Sequence, residues 1–183
     1  MSTRRALSRL QPDRLRQLMF FREFTPQEIR RLIAVGVAQT YDDGELLATE
    51  GTRKQRRVLY VVLKGELHYV KRIRAGCAGV VMVLRPGDVG GFLTFLNDDP
   101  SPVSVRSAGR TTVFEMGRRE MQVLGSQEAD LAVKLLRTLL GVTARRLDDL
   151  LDRVAATSAW ALDLERHLRA LPLLPGSPTP ERP

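Results

Sequence analysis

Val58-Leu59-Tyr60-Val61-Val62-Leu63-Lys64-Gly65-Glu66-Leu67 is the stretch on which the fold turns. Its unbroken apolar, β-branched opening reads as a buried strand, and Lys64-Gly65 reads as a turn. Beyond the turn, Glu66–Arg74 reads as a second strand, with Leu67 and Tyr69 alternating with polar neighbours and Ile73 continuing the pattern. The same rhythm extends both ways. Upstream, Tyr41-Asp42-Asp43-Gly44 is a turn, and Glu45–Glu50 is a strand that stops at Gly51. Downstream, Ala75–Gly79 reads as a small-residue loop and Val80–Leu84 as another buried strand. Arg85-Pro86-Gly87-Asp88 closes that strand as a strong turn. Val103–Ser107 and Thr111–Met116 read as a last pair around Gly109-Arg110. Many short strands punctuated by glycine turns, with no βαβ rhythm, predict a small barrel or sandwich.

Helices flank this region. Residues 1–11 read as a flexible basic arm and Pro12–Phe20 as a short helix. Thr25-Pro26-Gln27-Glu28 is a capping box, with Thr at the cap and Glu three residues on. It opens a helix with the apolar face Ile29, Leu32 and Ile33, ending near Gly36. From Ala129 a 3-4 apolar repeat runs through Val133, Leu136, Leu140, Thr143, Leu147, Leu150, Val154, Thr157, Ala161, Leu164, Leu168 and Leu171, with no proline before Pro172. The expected domains are therefore the arm at 1–11, a β domain with its helices at 12–127, one long helix at 128–171 and a disordered Pro-rich tail at 172–183. Val or Leu at the first heptad position and Leu at the fourth favours a parallel two-stranded coil. The predicted dimer interface is Leu136, Leu140, Thr143, Leu147, Leu150 and Val154. A second stripe, Leu135, Leu139 and Val142, would let the helix touch its own barrel as well. The rival reading is a helix that only folds back on its own domain.

Composition is that of an ordinary globular protein, with 43% hydrophobic and 27% charged residues. No apolar run approaches the ~20 residues needed to cross a bilayer. The lone Cys77 excludes an internal disulfide, and the first residues lack the apolar core of a secretory signal, so a cytoplasmic location is expected. The net charge of +8 is concentrated in residues 1–31 and 52–74. Arg53, Lys54, Arg56 and Arg57 form a basic patch between strands. It is compatible with a solvated loop, or with an acidic partner such as nucleic acid or an anionic surface. The patch holds no aromatic residue for base stacking. His68 and His167 stand far apart with no Cys or carboxylate cluster, so no metal is expected. No nucleophile elbow, P-loop or paired catalytic carboxylates occur, so the expected function is not enzymatic.

Taken together, Phe20-Phe21-Arg22-Glu23-Phe24, Tyr41-x-x-Gly44-Glu45, Glu50-Gly51, Leu59 to Leu67 and Leu84-x-Pro86-Gly87-Asp88-Val89-Gly90 resemble the cyclic-nucleotide-binding domain family. That family includes the catabolite activator protein and the regulatory subunits of protein kinase A. The resemblance covers Phe20 to about Val154. It implies a mainly β fold with flanking helices: a double-stranded β-helix, or jelly-roll-like β-roll, followed by a long C-terminal dimerisation helix.

The resemblance also locates a ligand site. In the family, a phosphate cassette runs from a Phe-Gly-Glu turn through a short helix to an Arg followed by Ala or Ser. The Glu accepts from the ribose hydroxyl, and the Arg pairs with the cyclic phosphate. Here the segment reads Val89-Gly90-Gly91-Phe92-Leu93 and, further on, Pro102-Val103-Ser104-Val105-Arg106. Gly91 stands at the acid's place, and Pro102-Val103 at the place of the Arg and its small neighbour. A charge-assisted hydrogen bond contributes about 1.5–3 kcal/mol, so losing two weakens an ordinary cyclic nucleotide by roughly a few hundred-fold or more. Two substitutes are conceivable. The Gly90 and Gly91 backbone N–H groups at the start of the cassette helix suit an anion. Arg106, two alternations along from Pro102 with Ser104 between, would replace the cation if it turned inward. Thr143 is a candidate helix contact to a ligand.

The expected protein is thus a regulatory or sensor adaptor acting as a homodimer through a protein partner. Its candidate ligand is a cyclic nucleotide, a cyclic dinucleotide or another small anion, with no resident cofactor. The alternatives are a pocket-dead interaction scaffold and a basic docking module. No helix-turn-helix module is legible after the long helix.

Overall fold

The computed structural model describes residues 3–5, 11–52, 57–74, 76–97 and 99–170. The tail from 171, most of the arm, and Arg53, Lys54 and Arg56 of the basic patch lie outside the described residues. Two compact units divide the chain after Leu140.

The first unit is the roll. Its strands are β1 (Thr3–Arg5), β2 (Val37–Tyr41), β3 (Leu46–Ala48), β4 (Val58–Arg74), β5 (Cys77–Leu84), β6 (Val89–Gly90) and β7 (Ser104–Gly117). They pair antiparallel in the order β1-β2-β7-β4-β5, with β3 joined to β7 and β6 to β4. The helices are α1 (Pro12–Leu15), α2 (Pro26–Val35), α3 (Phe92–Leu96), α4 (Arg118–Gln127) and α5 (Ala129–Ala170). A 3-10 turn spans Met19–Phe21, so the helix read over Pro12–Phe20 is broken in two.

β4 and β7 carry the architecture, and here the sequence reading needs correction. Lys64-Gly65 and Gly109-Arg110 do not reverse the chain; they bend two long strands that stay paired from Val58↔Gly117 to Val70↔Ser104. The register slips between Val62 and Lys64 and again between Lys64 and Glu66. Gly65 (φ 85°) permits the bend, because a Cβ there would stand 2.6 Å from Thr111 Oγ1 and 2.8 Å from the Arg110 carbonyl. Thr111 repairs the broken ladder: its hydroxyl accepts from the Glu66 N–H (3.2 Å) and donates to the Glu66 carbonyl (2.8 Å). β5 also starts earlier than expected, at Cys77, so most of the predicted small-residue loop is strand. β3 is shorter than Glu45–Glu50.

The interior of the roll is filled by Tyr41, Tyr60, Val62, Leu67, Leu84, Val105 and Val113. Leu59, Tyr60, Val61 and Val62 are all buried, as the apolar run of β4 demands. The helices bring a second apolar layer, in which Phe20, Phe21 and Phe24 stack edge-on or tilted, and Phe21 meets Phe114 of β7 at 6.0 Å. The Thr25–Glu28 capping box forms as read. α4 was not read from the sequence. Its first residue, Arg118, holds the end of α3 by donating to the carbonyls of Phe95 and Asn97.

The first turns of α5 belong to the roll, and Leu131, Ala132, Leu135 and Leu139 are buried in it. Lys134 ties α5 to α2 through Glu28 (2.8 Å) and sits over the Phe24 ring. The roll therefore extends to Leu140 rather than stopping at 127. The second unit, residues 141–170, is helix throughout the described residues, with its large apolar side chains exposed.

Candidate functional site

β6 and α3 deliver the cassette segment. Gly90 pairs with Tyr60 of β4, and Gly91 caps α3 in the left-handed region (φ 79°). This turn is packed from beneath by two aromatic side chains. The Tyr60 and Tyr69 hydroxyls share a hydrogen bond of 2.8 Å, and the Gly91 N–H donates to the Tyr69 hydroxyl at 3.3 Å. The Gly91 N–H is therefore not held out for an anion; it is taken up inside the roll. A Cβ on Gly90 would stand 2.4 Å from both Tyr60 Cε2 and the Tyr69 hydroxyl. A Cβ on Gly91 would stand 2.1 Å from the Val58 carbonyl and 2.8 Å from the Tyr60 ring. Backbone and tyrosine thus occupy the room that a side chain at Gly91 would need.

The other end of the cassette is pinned by its neighbours. Gly51 N–H donates to the Ser101 carbonyl (2.9 Å), and Ser101 N–H to the Thr52 carbonyl (3.3 Å). The Pro102 carbonyl accepts from the Lys71 ammonium (2.6 Å), which also pairs with Glu50 (2.9 Å). The Ser104 hydroxyl accepts from the Glu50 N–H at 3.0 Å. Lys71 and the Arg72 N–H hold the Glu50 carboxyl below its ordinary carboxylate value.

Between the two ends lies a hollow lined by Leu47, Ala48, Val58, Tyr60, Tyr69, Gly91, Phe92, Leu93, Thr94, Ser101, Pro102, Val103 and Val105. The hollow is small, with a cavity volume of about 50 Å³, and it opens through a wide mouth to solvent. Among the described residues, every one that lines it is uncharged.

The structure thus brings Gly91, Phe92, Leu93, Pro102 and Val103 of the expected site around one hollow. Gly90 is spent in strand pairing. Ser104 and Arg106 are not among the lining residues. β7 begins at Ser104, so Pro102 lies outside its alternation, and the inward residue is Val105. Arg106 is paired with Leu46 and His68 and points to solvent. Thr143 belongs to the second unit. Arg57 is the one described member of the basic patch, and it is half-buried. Sequence reasoning missed Tyr60, Tyr69 and Lys71. The alternation Leu67, Tyr69 carried a signal for the tyrosine, because residues two apart on a strand share a face. Nothing local marked Lys71.

Among the described residues, no helix is long and apolar enough to cross a membrane. No curated protein matches the chain in sequence. Solved structures do match. A cyclic nucleotide-binding domain from Methylobacillus flagellatus KT is 20% identical, with TM-score 0.70 over 80% of this chain and 82% of its own. The Thermus thermophilus catabolite activator protein is 20% identical, with TM-score 0.62 over 74% of this chain and 62% of its own. The regulatory domain of Toxoplasma gondii protein kinase A, crystallised with cAMP, is 27% identical, with TM-score 0.52 over 68% of this chain and 45% of its own. The family model for the cyclic nucleotide-binding domain matches residues 38–128, which span β2 to the end of α4. Over residues 38–128 the chain therefore matches the cyclic nucleotide-binding domain family, and it shares the fold of these solved structures.

Proposed function

We propose that this chain is a non-enzymatic regulatory adaptor that works as a homodimer through α5, signals through a protein partner, and does not hold cyclic AMP by the family's acid-and-arginine clamp. The observation that carries the second half is the uncharged hollow, closed against Gly90 and Gly91 by Tyr60 and Tyr69. A cyclic phosphate is a permanent anion. Moving it from water into a wall of carbon and neutral hydroxyls costs several kcal/mol, and among the described residues no cation lines the wall to offset that cost. Lys71 is held outside the lining by Glu50 and the Pro102 carbonyl.

The dimer reading rests on Val133, Leu136, Leu140, Leu147, Leu150 and Val154, which are all exposed and follow a heptad spacing. A second copy of the same helix is the occupant whose spacing matches such a stripe by construction.

Isothermal calorimetry of the full chain with cyclic AMP, cyclic GMP and cyclic dinucleotides tests the clamp. The expected result is no heat at concentrations up to about 1 mM. Saturable binding of any of them at micromolar strength would end this reading.

A further inference from the structure

We propose that the outer edge of β5 at Cys77–Val80 docks an acidic, extended segment of a partner protein as an added strand. The proposal rests on the reading above that the chain signals through a protein partner, and it names where that partner is held and by what chemistry.

β5 stands last in the sheet. It pairs with β4, and among the described residues no strand lies beyond it. Such an edge is a template for another extended chain. Past the slip in pairing at Tyr69 and Val70, β4 and β5 run on together as Val70↔Val80, Lys71↔Gly79, Arg72↔Ala78 and Arg74↔Cys77. This end of the hairpin is mostly exposed, yet it carries aliphatic side chains: Ile73 is 67% and Val80 53% exposed. Gly79 and Val80, being successive residues of a strand, face opposite ways. Gly79 has no side chain, and a Cβ there would stand 3.0 Å from Ile73 Cδ1, so Ile73 reaches across it toward the edge. A strand laid along β5 would therefore meet one apolar contact on each face, Ile73 on one and Val80 on the other.

Charge decides the occupant. Arg72, Ile73, Arg74, Gly76, Cys77 and Ala78 line an open hollow of about 580 Å³ at this end. The Lys71 ammonium is held by Glu50 and the Pro102 carbonyl. Arg72 Nε comes only within 3.7 Å of the same carboxylate, and its side chain, like that of Arg74, is largely exposed. A second copy of β5 on this edge would gather the arginines of both copies on one sheet, and like charges across strands destabilise. Aspartate or glutamate side chains of another chain would instead meet the two guanidinium groups in charge-assisted, forked hydrogen bonds.

The test is fluorescence anisotropy of the full chain with a tagged peptide of alternating valine and glutamate. Saturable binding that weakens as salt rises is expected. The same peptide N-methylated at alternate peptide bonds keeps its charge but loses the donors of one edge, and should bind about tenfold or more weakly. Arg72→Glu with Arg74→Glu should weaken the parent peptide by about tenfold or more. Arg110→Glu, at an exposed cation on the bend of β7, should leave binding unchanged. Val80→Ser keeps every charge and should weaken binding by about threefold, so the test stays decisive if the double reversal disturbs folding. No binding, equal binding of the N-methylated peptide, or an equal loss in Arg110→Glu overturns the inference. So does an oligothymidylate that binds as tightly and is lost in the double variant, which would assign the hairpin to nucleic acid. These outcomes leave the clamp reading standing, since calorimetry with cyclic nucleotides decides that separately.

Discussion

Between Ala129 and Leu140, α5 buries Leu131, Ala132, Leu135 and Leu139 against the roll, whereas its leucines, valine and tryptophan from Leu147 to Leu168 stand 42% to 66% exposed. The two stretches draw on the same residue types and the same helical period. They differ in what their chain offers them. The first stretch carries two apolar stripes, and the one at Leu131, Leu135 and Leu139 is buried within its own unit. The other, at Val133, Leu136 and Leu140, remains exposed and continues in register into the second stretch. Burial in a helix is thus decided by which stripe has a neighbour, and not by how apolar the helix is.

Breaking the second stretch should have the largest effect. Leu147→Asp with Val154→Asp places charge in the proposed seam, and is expected to weaken self-association by roughly a hundredfold or more. Analytical ultracentrifugation reads this, while the thermal transition of the roll should stay put. A wild-type chain that sediments as a monomer at every concentration would remove the dimer. Next in size is the first stretch. Leu135 is 1% exposed, and Leu135→Ala should destabilise the roll by about 2–5 kcal/mol in urea unfolding. Leu150→Ala, at an exposed position of the second stretch, should cost the roll almost nothing.

The smallest expected effect is electrostatic and depends on pH. Partial burial pushes the Glu28 carboxyl upward, but the Lys134 ammonium and the Thr25 N–H and hydroxyl outweigh it and hold the group below its ordinary value. A lowered folded-state pKa stabilises above the unfolded value and loses that stabilisation as pH falls through the folded one. Lys134→Met should therefore cost about 1 kcal/mol near pH 7. The deficit should shrink as pH falls below the ordinary carboxylate range. A deficit constant from pH 7 to pH 3 would mean that the lost contact with Phe24, and not the ion pair, is what matters.

Much of this fold is legible residue by residue. The capping box at Thr25 and Glu28 forms as written, because its signal spans four adjacent positions. The change of period near Val37 marks the first boundary between helix and strand, whereas the second falls at Arg118, ahead of the change read at Ala129. The two bends were misread as turns for a physical reason. Gly65 and Gly109 announce positive φ, but a bend and a reversal both use it, and only pairing with a distant strand separates them. α4 escaped notice because its start is fastened from outside its own sequence, by Arg118 donating to the Phe95 carbonyl of α3.

The candidate site divides along the same line. Reading the chain alone was enough to single out Gly91, Phe92, Leu93, Pro102 and Val103, which line one hollow in the structure. The tertiary structure decided the rest: that Tyr60 and Tyr69 fill the room beside Gly91, that Lys71 is drawn onto the Pro102 carbonyl, and that Arg106 faces solvent. These outcomes hang on how β4 and β7 are registered after two slips in pairing. A slip of one residue exchanges the faces of a strand, and no local pattern records it.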